Sequence, residues 1–277
     1  MTGKINFVVA LPCEANPIIS HFNLSKRDST LFKIYSNQDH SIRLIISGVG
    51  SSGSSRATKQ LASVSDAGIS TAWLNIGIGG HKNFPLGTSV LANKITDSQI
   101  EQSWFPQIVF DPKCLTASVK TFENTVFNYP NDDVVEREAS GFYYAAELYS
   151  TREMIHCIKI ISDNSQSPTG KITADLVEEL ISRNLPTIKI LMRKLQFLSR
   201  EEEKRISNPP FLQECLSLWH FTVTQTHQLK NLLRKWLLLR PVKDVIDVLL
   251  SDCKDSRNVI QTMQLHLKNR PVRMDYD

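Results

Sequence analysis

The sequence predicts an α/β protein that gives way to helices in its last third. Apolar, β-branched runs alternate with helical patterns as far as residue ~180, which is the signature of strands joined by helical crossovers. Beyond residue 172 no good strand pattern appears, only helical periodicity broken by the charge run Glu201–Arg205 and by Pro209-Pro210. Charge follows the same division. Residues 1–182 carry 15 Lys and Arg against 18 Asp and Glu, and residues 183–277 carry 17 against 10. The basic C-terminal part reads as a solvated helical face or as the complement of an acidic neighbour, ahead of nucleic acid or a membrane surface.

Residues 4–11 form the first strand and 15–24 a short helix. Residues 31–36 and 41–50 read as a strand pair closed by Gly48 and Gly50. Residues 51–68 begin with serines and glycine and become helical, 71–80 form a buried strand ending in glycines, and 87–97 form another strand. Residues 98–118 carry no clear pattern, and 119–128 read as a strand or as a strand and turn. Residues 134–149 pass from a strand end into a helix, and 154–163 are a buried strand. An amphipathic helix over 172–198 is expected to be interrupted near Pro186. Helices are expected over 211–239, 242–250 and 257–268. The division falls at 198, with an α/β domain over 1–198 and a helical extension over 199–277 packed on that domain or on a partner subunit.

Composition narrows the function. The apolar fraction is 41% and the net charge +4, both ordinary for a globular protein. No apolar run approaches the ~20 residues of a membrane span, and the N-terminus lacks the apolar stretch and cleavage site of a secretory signal. Five scattered cysteines without a CxxC pair argue against a disulfide framework or a zinc site, and for a reducing cytoplasm. His81, His156 and His220 are isolated and form no metal-ligand pattern, so no metal is expected. Trp219 and Trp236 lie in helical patterns and read as core.

Three carboxylates stand out: Glu14 in ALPCEA, Glu138 in VEREASG and Asp163 in IISDN. Each follows or adjoins an apolar β-type run, where a carboxylate is costly unless it is paired or functional, and the carboxyl ends of strands are where open α/β sheets bind ligands. Structural readings stand beside this one: a first-turn acid for Glu14, a salt bridge for Glu138 and a helix N-cap for Asp163.

Taken in order, ALPCEA (10–15), SGVGSS (47–52) with NIGIGG (75–80), LGTSVLANKITD (86–97), VEREASG (135–141) and IISDN (160–164) resemble the nucleoside phosphorylase and nucleosidase superfamily. The closest likeness is to 5′-methylthioadenosine/S-adenosylhomocysteine nucleosidases, and it covers about residues 4–195. It implies a three-layer α/β/α domain with a central mixed, twisted sheet. It further implies cleavage of a purine N-glycosidic bond without a cofactor, in a cytoplasmic homodimer whose partner is a small-molecule nucleoside rather than nucleic acid or membrane. By the resemblance, Glu14 orients and activates the attacking water, Asp163 serves as the acid at N7 of the base, and Glu138 grips the ribose hydroxyls. Ile78 and Gly79 lie in the turn beside base and sugar, and the base-contacting segment falls at Thr125 and Val126. Two positions depart from the pattern. Ile78 stands where phosphorylases carry a serine that contacts phosphate, which tilts the reading from phosphorolysis to hydrolysis while leaving phosphate open as a co-substrate. Arg137 stands where a methionine touches the sugar; it could recognise an anionic substituent or turn away to pair with Glu136 or Asp133. A catalytically altered nucleoside-binding module is the alternative these departures leave open.

Overall fold

In the computed structural model the described residues are 3–29, 31–126, 129, 132–167, 170, 172–239 and 253–268. They fall in two compact units, residues 1–205 and 206–277.

The described residues of the first unit form ten strands: β1 (Ile5–Val9), β2 (Ser25–Arg27), β3 (Lys33–Ser36), β4 (Ile42–Ile46), β5 (Ala72–Gly80), β6 (Ser89–Asp97), β7 (Ser103–Trp104), β8 (Leu115–Thr121), β9 (Val134–Glu136) and β10 (Ile155–Asp163). Its α-helices are α1 (Pro12–His21), α2 (Ser51–Ser65), α3 (Ala139–Ala146) and α4 (Ala174–Ile206). β1 lies parallel between β4 and β5, and β5 lies parallel to β10. From β4 the sheet continues antiparallel through β3 to β2. On the other side β10 pairs antiparallel with β6, β6 parallel with β8, β8 parallel with β9, and β9 returns antiparallel to β5 at Gly80↔Val135. Five strands thus close a ring within a mixed sheet, and β1, β4, β5 and β10 all end at the same edge.

The central strands β1, β4, β5 and β10 are mostly apolar because both faces of the sheet are covered there. On one face Phe7, Val9, Leu44, Leu74, Ile76, Ile158 and Ile160 pack with Ala15 and Ile18 of α1 and with Val177, Ile181, Ile188 and Leu195 of α4. On the other Val8, Ile45, Trp73, Val119 and Ile161 pack with Leu61 of α2 and Phe142 and Tyr143 of α3. This gives three layers, α/β/α. α4 runs unbroken through Pro186, contrary to the expected interruption. Its buried stripe, from Val177 to Ser199, is continuous on both sides of the proline, and that burial outweighs the ~3 kcal/mol cost of a proline inside a helix. The patternless stretch 98–118 contains β7 and the start of β8, which begins four residues before the expected strand.

α2 and α3 cross at a glycine. A Cβ on Gly141 would lie 1.9 Å from the Ser51 carbonyl oxygen, so only glycine permits this approach. Gly141→Ala is expected to force the helices apart at a cost of about 1–3 kcal/mol or more, read as a lower denaturant midpoint. An unchanged midpoint would mean that the crossing is loosely packed.

The second unit contains α5 (Leu212–Leu218), α6 (Val223–Leu239) and α7 (Ser256–Lys268). Leu212, Cys215, Leu229, Leu233, Trp236, Val259 and Met263 form its core. The stretch 211–239, expected to be helical, is two helices. Thr222 starts the second with a capping box, its hydroxyl accepting from Gln225 N and the Gln225 side chain accepting from Thr222 N. The helix expected over 242–250 lies outside the described residues. Among the described residues no helix is long and apolar enough to cross a membrane.

Candidate active site

All eight residues singled out in the sequence line one cleft of ≈ 240 Å³ at the C-terminal edge of the parallel strands: Glu14, Ile78, Gly79, Thr125, Val126, Arg137, Glu138 and Asp163. The topology brings them together. Glu14 sits in the first turn of α1, directly after β1, while Ile78 and Gly79 end β5. Asp163 ends β10, Glu138 stands between β9 and the first residue of α3, and Thr125 and Val126 lie in the segment between β8 and β9.

Glu14 is 3% exposed. Its Oε1 accepts from Ile78 N at 2.9 Å and its Oε2 from Leu11 N at 2.9 Å. Burial raises its pKa above the ordinary carboxylate range, against the lowering effects of these amides and of the Lys159 charge. The close approach depends on Gly77, where a Cβ would lie 2.9 Å from Glu14 Oε1 and 3.4 Å from Lys159 Nζ. Glu138 is also buried, and its Oε1 accepts from Gly50 N at 2.8 Å. Burial first, and then the neighbouring Glu136 charge, push its pKa up to about 7. Asp163 Oδ1 accepts from Ser162 Oγ and Oδ2 from Tyr129 Oη, both at 2.6 Å. Gly80 leaves room for this arrangement, because a Cβ there would meet Asp163 Oδ2 and Tyr129 Cε1 at 2.6 Å.

Sequence reasoning missed Glu136, Lys159 and Tyr129. Lys159 is 1% exposed, and its Nζ lies 2.7 Å from Glu136 Oε2. Burial alone would lower its pKa; Glu136, with Cys157 and Glu138, outweighs burial and raises it. Glu136 Oε2 also accepts from the amides of Glu138 (2.8 Å) and Ala139 (2.9 Å), and its Oε1 accepts from Thr121 Oγ1 at 2.5 Å. The pair therefore ties β10 to the turn that presents Glu138. A signal for it was present: a lysine inside the apolar run IHCIKIISD must find a buried partner. No comparable signal marked Tyr129. Arg137 takes neither expected partner; its Nε and Nη2 donate to the Glu123 carbonyl at 3.0 and 2.7 Å. His81 is a turn residue, stacked on Phe84, with Nδ1 accepting from the amides of Asn83 and Phe84. His156 is buried, which lowers its pKa to about 4. Among the described residues no group of acidic, histidine or cysteine side chains is arranged to hold a metal.

The layered mixed sheet with its closed ring is the phosphorylase/nucleosidase fold. Solved structures similar to it include a mutant 5′-methylthioadenosine nucleosidase of Helicobacter pylori with 5′-methylthioadenosine in its active site (12% identity, TM-score 0.58, covering 70% of this chain and 100% of that one). The 5′-methylthioadenosine/S-adenosylhomocysteine nucleosidase of Streptococcus pneumoniae with a transition-state inhibitor is also similar (16% identity, TM-score 0.55, 69% and 98%). So is the futalosine hydrolase of H. pylori (12% identity, TM-score 0.54, 69% and 98%). No protein-family model matches the chain, and no curated protein matches it in sequence. At these identities the likeness is one of fold.

Proposed function

We propose that this protein hydrolyses the N-glycosidic bond of a purine nucleoside or nucleoside-like small molecule. The observation that carries the reading is the convergence of three buried carboxylates from three separate elements, Glu14, Glu138 and Asp163, on one cleft. Nucleosidases among the structures of the same fold add support.

In this reading Asp163 protonates N7, so the base departs neutral as the C1′–N9 bond breaks and the sugar becomes oxocarbenium-like. Ser162 and Tyr129 hydroxyls hold the carboxyl in place and stabilise the carboxylate left after proton transfer. Glu138 grips the two ribose hydroxyls and fixes C1′ for attack. Glu14 orients a water on the other side of the sugar and takes its proton as oxygen bonds to C1′; its raised pKa suits it to hold that proton. Lys159 lies beneath these groups as a fixed counter-charge.

Hydrolysis is favoured over phosphorolysis by the groups around Glu14, where the attacking nucleophile would sit. Ile78 brings an alkyl side chain to the cleft, and its amide is already donated to Glu14. Lys159 is buried and committed to Glu136. The test is chromatography of a panel of purine nucleosides, including 5′-methylthioadenosine, incubated with the protein in phosphate-free buffer. Base release is expected; release only on adding phosphate would establish a phosphorylase, and none from any nucleoside would favour a binding role.

The raised pKa of Glu138 sets a pH dependence. It must be ionised to accept from two hydroxyls, so kcat/KM should climb as pH rises through about 7. A profile flat from pH ~5 to ~8 would remove Glu138 from sugar binding.

A further inference from the structure

A second, larger cavity of ≈ 960 Å³ opens beside the first within the same unit. Val49, Phe122 and Arg137 line both. Glu138 accepts from Gly50 N, and Gly50 is in the wall of the second cavity. If the base sits at Asp163 and the diol at Glu138, continuing past the sugar leads into this space, and the part of a nucleoside that projects there is the substituent at C5′.

Two arginines line the second cavity, Arg137 where it meets the first and Arg56 on α2. Among the described residues neither forms an ion pair. Arg137 donates to the Glu123 backbone carbonyl, a neutral acceptor that fixes the guanidinium without cancelling its charge. The carboxylates in the same wall are engaged by other groups. Asp97 accepts from the Ser140 hydroxyl at 2.8 Å and from the amides of Gln99 and Ile100 at 2.9 and 3.4 Å, and Glu123 accepts from the Gln99 side chain. With negative charge in the wall as well, a general positive field does not select the ligand. Selection falls to the guanidinium forks, which match carboxylate and phosphate oxygens.

We propose that the second cavity receives the 5′ substituent of the substrate and that this substituent is an anion, held by Arg137 and Arg56. The proposal rests on the nucleosidase reading and names its substrate class.

Calorimetric titration of the full-length Asp163→Asn protein, in which turnover is expected to be blocked, tests it with four probes. These are 5′-carboxymethylthio-5′-deoxyadenosine, the carboxamide of the same compound, adenosine 5′-monophosphate and adenosine. The acid should bind about tenfold tighter than its amide, or the monophosphate about tenfold tighter than adenosine; which pair shows the preference distinguishes carboxylate from phosphate. The preference should shrink as salt is raised. It should fall severalfold in Arg137→Met and in Arg56→Met, each checked for an unchanged unfolding midpoint. Nucleoside binding without a preference for charge, or a preference that survives both substitutions together, would overturn the proposal and leave the nucleosidase reading standing. No binding of any of the four would remove both.

Discussion

Asp163→Asn should abolish base release, with kcat down by about 10²–10⁴-fold, while the fold is kept. Asparagine has the size of aspartate, and its side-chain oxygen can still accept from the Ser162 or Tyr129 hydroxyl. The amide has no acidic proton to give to N7, so the base must leave as an anion. Activity should therefore be lost at every pH rather than shifted along the pH axis. Near-ultraviolet circular dichroism and the thermal midpoint, measured on the same sample, would show that the site is intact. Full activity in this variant would remove Asp163 from the chemistry.

The second large effect is on stability. Lys159→Met should destabilise the protein by about 3–5 kcal/mol, because it leaves the buried Glu136 carboxylate without its counter-charge. Glu136 would keep its bonds to Thr121 and to the amides of Glu138 and Ala139, but neutral donors compensate a buried charge less well than an ammonium 2.7 Å away. Adding Glu136→Gln should recover part of the loss, because the two positions interact directly and their effects are not additive. Denaturant unfolding of both single variants and the double variant measures this coupling. Strictly additive losses, or a Lys159→Met effect below about 1 kcal/mol, would mean that the ion pair does not hold β10 to the Glu138 turn.

Much of this arrangement was legible in the sequence for a physical reason. Buried parallel strands must be apolar from end to end, so β1, β5 and β10 announce themselves, and a carboxylate at the end of such a strand is conspicuous. Glu14 and Asp163 could be found in this way, and Glu138 from the motif that precedes α3. What was not legible depends on partners distant in sequence. β9 has three residues and closes the ring through one pairing, Gly80↔Val135, too short for any periodicity. The continuity of α4 through Pro186 depends on a buried stripe that outweighs a local rule. Lys159 was visible as an anomaly, but its partner Glu136 lies 23 positions away in another strand. Tyr129 reaches Asp163 from the segment between β8 and β9, where no pattern announces contact. The second cavity was also hidden, since only the fold brings Arg56 of α2 and Arg137 to the wall of one cavity.

The most direct test is to identify the sugar product by phosphorus and proton magnetic resonance after incubation with 5′-methylthioadenosine in excess phosphate. The three-carboxylate account predicts free 5-methylthioribose and adenine, formed at the same rate with and without phosphate. Formation of the sugar 1-phosphate would contradict it, because phosphate rather than a water activated by Glu14 would then be the nucleophile.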